Sequence, residues 1–218
     1  MKSKEFLIDW NNKMDKLKVQ NIKDFAAKVK QDCQPFLKQI GPDIENYSMY
    51  RGIEVEREWT IDLLKKAFEL RTSRLADRQP RGTRLDIHNN INEALKKIFG
   101  KPWRNALFVS GNRKDAAWYG NGNTFRVYPV GDFEFLWSPK IVDLLPTWDK
   151  IKDKHKSKEE ALNELMDLVS SSYQTTNLKE AIASGNEIHI WVNSYYTLHD
   201  SIPAAQRRRF TEFLKGSQ

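Results

Sequence analysis

The sequence predicts an α+β fold in which an N-terminal helical extension, residues 1–45, leads into a mixed core over residues 46–218. Three observations carry this. Apolar residues recur at helical spacing over residues 6–40. Ala106-Leu107-Phe108-Val109 is a short continuous apolar run of the kind a buried strand needs. Glu187-Ile188-His189-Ile190-Trp191-Val192 is the clearest late strand. At 218 residues the chain buries a substantial core without covalent staples.

The elements follow in order. Phe6, Leu7, Trp10, Met14 and Leu17 make one helical stripe and Ile22, Phe25, Ala26 and Val29 a second, with Asn21 as a cap between them. Gly41-Pro42-Asp43 terminates the helices, and residues 47–53 turn extended. Residues 58–75 return to helical spacing through Trp59, Leu63, Leu64, Ala67, Phe68 and Leu70, until a basic loop at 77–83 interrupts them. Residues 87–99 are the next helix. Then come the strand at 106–109, a short helix at 113–119 and a strand at 124–130, punctuated by Gly111, Gly120 and Gly122. Phe133, Phe135 and Trp137 alternate after the Gly131-Asp132 turn, as a hairpin partner of the preceding strand does. A charged stretch at 150–160 leads into an amphipathic helix at 161–169. A short helix at 178–183 exits through Ser184-Gly185-Asn186 into the late strand, and a helix at 203–214 bearing Arg207, Arg208 and Arg209 closes the chain.

Composition narrows the function classes. With 30% charged residues and a mean hydropathy of -0.69, no window approaches the roughly 18 uninterrupted apolar residues of a spanning helix. The start Met1-Lys2-Ser3-Lys4-Glu5 lacks the apolar run of a secretion signal. Cys33, the single cysteine, cannot make an internal disulfide and reads as a packing residue. A cytoplasmic protein with no membrane partner is the expectation. The net charge of +7 favours phosphate-bearing partners, although its basic runs read equally as solvated helix faces. There is no phosphate-binding loop, no Gly-x-Ser-x-Gly elbow and no dinucleotide-fold glycine fingerprint, and the four histidines lack metal-ligand spacing. No metal is expected.

What remains is a three-part pattern: Tyr50-Arg51-Gly52 on an early strand, Phe108-Val109-Ser110 on a middle one, and Glu187-Ile188-His189-Ile190 on a late one. This order resembles the Arg, Ser, Glu arrangement of the mono-ADP-ribosyltransferase superfamily, of the bacterial-toxin and phage type. The likeness spans roughly residues 47–198 and includes Ala117-Trp118-Tyr119-Gly120 and Tyr128-Pro129-Val130-Gly131. Arg78-Gln79-Pro80-Arg81, His88 and the run from Arg104 to Phe108 look like uncharacterised phage proteins of this kind. The resemblance implies an ADP-ribosyltransferase-like split β-sheet core. It also implies NAD as the substrate and a phage-encoded enzyme that transfers ADP-ribose to a host protein or nucleic acid in the host cytoplasm.

The chemistry explains the residue types. Breaking the glycosidic bond of NAD means holding a pyrophosphate and tolerating positive charge on the ribose. Arg51 suits the first task, since a guanidinium matches phosphate geometry and stays charged. Glu187 suits the second, as a carboxylate beside the developing oxocarbenium ion. By resemblance, Ser110 braces that glutamate. Phe108 or Tyr119 could pack on the nicotinamide ring, Gly52 could let the backbone approach the ligand, and Arg78 could reach the adenosine phosphate. His189 shares the parity of Glu187 and so flanks the same cleft.

Taken singly, Arg51 reads as a solvated strand-end arginine, Ser110 as a turn former and Glu187 as an edge-strand charge. Their joint order lifts them above that. The chain departs from the common family pattern in two places: Ser110-Gly111-Asn112 stands where many members have Ser-Thr-Ser, and Gly185 stands two positions before the glutamate, where an acceptor-engaging Glu or Gln is frequent. A nucleic-acid-binding module without catalysis, and a phage structural or interaction protein on a degenerate transferase fold, are the competing readings.

Overall fold

The computed structural model describes residues 21–54, 68–76, 78–80 and 83–216. Its strands are β1 (Tyr50–Gly52), β2 (Phe68–Thr72), β3 (Leu107–Ser110), β4 (Thr124–Pro129), β5 (Glu134–Trp137), β6 (Glu187–Trp191) and β7 (Ser194–His199). Its helices are α1 (21–32), α2 (Gln34–Ile40), α3 (Leu85–Phe99), α4 (Arg113–Tyr119), α5 (Leu144–Lys152), α6 (Lys158–Ser172), α7 (Leu178–Ser184) and α8 (Ala204–Lys215). The fold is α+β. No helix among the described residues is long and apolar enough to cross a membrane.

The seven strands of the described residues form one open antiparallel sheet, ordered β2-β7-β4-β1-β3-β6-β5. Only the pair Tyr50↔Ser110 joins β1 to β3, so the sheet divides there into a four-strand half and a three-strand half. The chain itself shows that the halves fold toward each other. Two residues, Val192 and Asn193, link β6 to β7, a reach of roughly 11 Å, whereas those strands would lie about 19 Å apart in a flat sheet.

Local chemistry sets the helix ends. Asn112 accepts from the Lys114 amide and caps α4, Asp143 caps α5 through Leu145, and Ser157 caps α6 through Glu160. Gly185, left-handed at φ 75°, ends α7 and turns the chain into β6. One apolar cluster lies between the sheet and α1, α2, α7 and α8. Ile22, Phe25, Val29, Cys33, Phe36 and Ile40 belong to it, so residues 22–40 share the core of the sheet. A second cluster gathers α3, α5 and α6 around Trp103, Leu136 and Trp148. Cys33 is fully buried, and burial, reinforced by Asp32, pushes its thiol up to about 12.

Several expectations are corrected. Asn21 is already helical rather than a cap. The helix expected at 58–75 is a strand over Phe68–Thr72, because those residues complete the open edge of β7, with Leu70 opposite Tyr196; five residues fit either period, and the pairing decides. Its earlier part, 58–67, and the lead-in stripe at 6–20 lie outside the described residues. So do Asp77, Arg81 and Gly82 of the basic loop. The segment after Gly131-Asp132 does not pair with β4, whose two edges are taken by β1 and β7. It pairs with β6 instead, Phe135 opposite Ile190.

Tight backbone packing holds the end of β3. A Cβ on Gly111 would stand 1.7 Å from the Ile182 carbonyl oxygen of α7. Gly111→Ala is therefore expected to cost about 3 kcal/mol through overpacking, a fall in melting temperature of roughly 10 °C. Thermal unfolding followed by circular dichroism checks it.

Candidate active site

The two halves of the sheet enclose a cleft of about 900 Å³, within the size that takes a small organic ligand. Arg51, Gly52, Arg78, Phe108, Ser110, Tyr119 and Glu187, the residues singled out in the sequence, all line it. Cross-strand register explains the convergence: Tyr50 lies opposite Ser110, and Ser110 opposite Glu187.

Glu187 opens β6, its amide donating to the Val142 carbonyl at 2.8 Å. The side chain is 16% exposed. His189, two residues on, lies on the same face and places Nε2 2.8 Å from Glu187 Oε1. The other ring nitrogen, Nδ1, stands 3.1 Å from the Trp103 carbonyl oxygen and donates to it, which fixes the ring. Arg104 approaches the same oxygen at 3.9 Å, so both neighbours address Oε1 and Oε2 is the oxygen left for a ligand. Burial raises the Glu187 pKa. The charge and hydrogen bond of His189, then Arg104 and Arg78, outweigh it and hold the carboxyl below the ordinary glutamate value.

Arg104 and Arg78 act on this carboxylate, and Arg51 acts in turn on Arg78. Arg51 donates to the Phe108 carbonyl at 2.9 Å. Arg78 donates to the Ala106 carbonyl and lies 3.8 Å above the Phe108 ring, with Arg104 4.9 Å from the same ring. Burial, then the like charges of Arg51 and Arg104, bring the Arg78 pKa down to about 9, against Glu187 and Tyr195. It stays charged at neutral pH. The like charges crowded against Arg78 are what an anion relieves.

Some expected roles shift. Ser110 does not touch the Glu187 carboxylate: its hydroxyl donates to the Gly185 carbonyl at 2.6 Å and accepts from the Asn112 amide, bracing the turn before β6. The close approach at Gly52 is to protein, because a Cβ there would lie 2.0 Å from the Ala116 carbonyl oxygen of α4. Phe108 carries the guanidiniums of Arg78 and Arg104 and meets the His189 ring at 4.7 Å. Tyr119 donates to Asp143 at 2.5 Å and stands at the rim beside Trp118, which is 84% exposed.

Sequence reasoning missed Arg104, which is 5% exposed. Its backbone amide donates to Asn92 of α3 at 2.8 Å, and Asn105 beside it donates to the Leu75 carbonyl at 2.9 Å. The single turn Trp103–Asn105 thus positions His189, Arg104 and the chain leading to Arg78. Its position directly before a buried strand was the available signal. Among the described residues, no group of His, Cys, Asp and Glu could hold a metal ion. No protein-family model, curated protein or solved structure matches the chain.

A carboxyl held below its unfolded value, about 4.3 for glutamate, stabilises the fold fully above that value. The contribution is lost as pH falls through the lower folded pKa. The destabilisation caused by Glu187→Gln is therefore expected to be full at pH 7 and to shrink below about pH 4. Urea unfolding across that range reads it, and a difference independent of pH would contradict it.

Proposed function

We propose that the protein is an NAD-dependent mono-ADP-ribosyltransferase with the split-sheet core that goes with this activity. One observation carries the reading: Arg51, Ser110 and Glu187, contributed by three strands far apart in the chain, face a single cleft. The like charges of Arg51 and Arg104 crowded on Arg78 support a pyrophosphate as its anionic ligand. A carboxylate with one oxygen uncommitted supports the ribose end.

In this reading Arg51, Arg78 and Arg104 hold the pyrophosphate. Glu187 Oε2 accepts a hydrogen bond from a hydroxyl of the nicotinamide ribose, and the carboxylate stabilises the positive charge that grows on the sugar. The bond from ribose C1′ to nicotinamide breaks, its electron pair leaving with the nicotinamide nitrogen. The acceptor then bonds to C1′ and gives up a proton. His189 acts through Glu187 as a positioning residue, and Ser110 fixes the turn that delivers the glutamate. The acceptor is a macromolecule, reached across the open rim at Trp118 and Tyr119. A phage-encoded enzyme acting in the host cytoplasm fits this reading.

Folded wild type is expected to release nicotinamide from NAD, and Glu187→Gln to lower that rate at least about a hundredfold. Absence of release from wild type would overturn the proposal. Labelled NAD in a bacterial lysate, treated afterwards with nuclease or protease, identifies the class of acceptor. Arg78→Ala is expected to raise KM for NAD roughly tenfold with little change in kcat, since the phosphates are held alike in ground and transition states. Steady-state kinetics check it.

A further inference from the structure

The cleft has a direction along β3. Ser110 and Glu187 stand at one end, Phe108 with Arg78 and Arg104 in the middle, and Asn105 at the other. Beside Asn105 is His88, in the first turn of α3, 2% exposed and among the residues that line the cleft.

Its neighbours decide which ring nitrogen holds the proton. Asn92 Oδ1 accepts from the Arg104 amide at 2.8 Å, which turns the Asn92 amide nitrogen inward. Asn105 Nδ2 donates to the Leu75 carbonyl, which turns Asn105 Oδ1 inward. There it accepts from Asn92 Nδ2 at 2.9 Å and stands 3.1 Å from His88 Nε2. Asn92 Nδ2 is also 3.1 Å from His88 Nε2, so the three atoms form a near-equilateral triangle. The two N–H bonds of an amide diverge too widely to serve two of its corners. Nε2 therefore carries the proton and donates to Asn105 Oδ1, and Nδ1 is a bare lone pair. Burial, with Arg104 and Arg78, keeps the ring pKa below the ordinary histidine value against the opposing Asn105 bond.

Nδ1 is buried and has no hydrogen-bond partner, and the same holds for the Ser73 and Thr83 hydroxyls, which line the same cleft. Buried acceptors are rarely left unpaired, because the water they lose is not replaced. A phosphate cannot supply the missing donor, being an acceptor itself.

We propose that His88 Nδ1 accepts a hydrogen bond from a neutral donor on the adenosine half of the dinucleotide, a ribose hydroxyl or the adenine amino group, and so selects that half. This rests on the NAD reading: with the nicotinamide ribose at Glu187 and the pyrophosphate on the arginines, adenosine is what reaches the Asn105 end.

Calorimetric titration of ADP-ribose into folded wild type and His88→Phe tests it. His88→Phe is expected to bind about tenfold more weakly. Analogues lacking the 2′-hydroxyl, the 3′-hydroxyl or the adenine amino group name the donor: the analogue that weakens wild type but not His88→Phe has lost the group His88 holds. Equal affinity of the two proteins, or equal losses in both for every analogue, overturns the assignment while leaving the NAD reading intact. Failure of wild type to bind ADP-ribose overturns both. Should His88→Phe not fold, nitrogen-15 NMR of wild type replaces it. The unprotonated Nδ1 signal of His88 must shift on adding ADP-ribose, and an unmoved signal refutes the proposal.

Discussion

The structure turns on keeping a carboxylate charged inside the protein. Glu187 is largely withdrawn from water, and an unmatched buried charge would cost several kcal/mol. Its match is built from His189 at 2.8 Å and Arg104 at 3.9 Å, with Arg78 nearby. Each partner must in turn be held. The Trp103 carbonyl holds His189, the Ala106 carbonyl and Phe108 ring hold Arg78, and the Arg104 backbone is pinned to Asn92. One short turn before β3 therefore sets both the charge of Glu187 and the shape of the cleft around it.

The site lies where the sheet is least continuous. In a flat sheet Arg51, one residue out of step with Ser110, would face away from it. Across the joint between the halves, held by the single pair Tyr50↔Ser110, both residues line one cavity. The joint is secured by backbone contacts rather than by large side chains: Gly52 lies against α4, Gly111 against α7, and the Ser110 hydroxyl ties β3 to the turn before β6. Side chains of both halves thus converge without filling the space between them.

Much of this was legible along the chain. The helix at 113–119 coincides with its expected bounds, the late strand begins at Glu187 as expected and ends one residue early, and α3, α7 and α8 lie within two residues of theirs. Each carries a local mark: an apolar period, Asn112 as a cap, or Gly185 and Gly216 as left-handed stops. Elements with weak local marks were missed or misread. α5 begins at Leu144 behind the Asp143 cap, with Pro146 in its first turn, a start signal that the neighbouring charged stretch obscured. β2 and β7 owe their form to each other.

The sequence by itself determined α3, α4, α7 and α8 and the strand positions of Arg51, Ser110 and Glu187, since period, caps and motif order are short-range properties of a chain. The tertiary structure alone decided what those residues meet. His189 bonds to Trp103 across 86 residues and Ser110 to Gly185 across 75. β5 chose β6 over its sequence neighbour because both edges of β4 were taken. Hydrogen-bond partners and buried charge pairs depend on which segments pack together, and no local pattern encodes that.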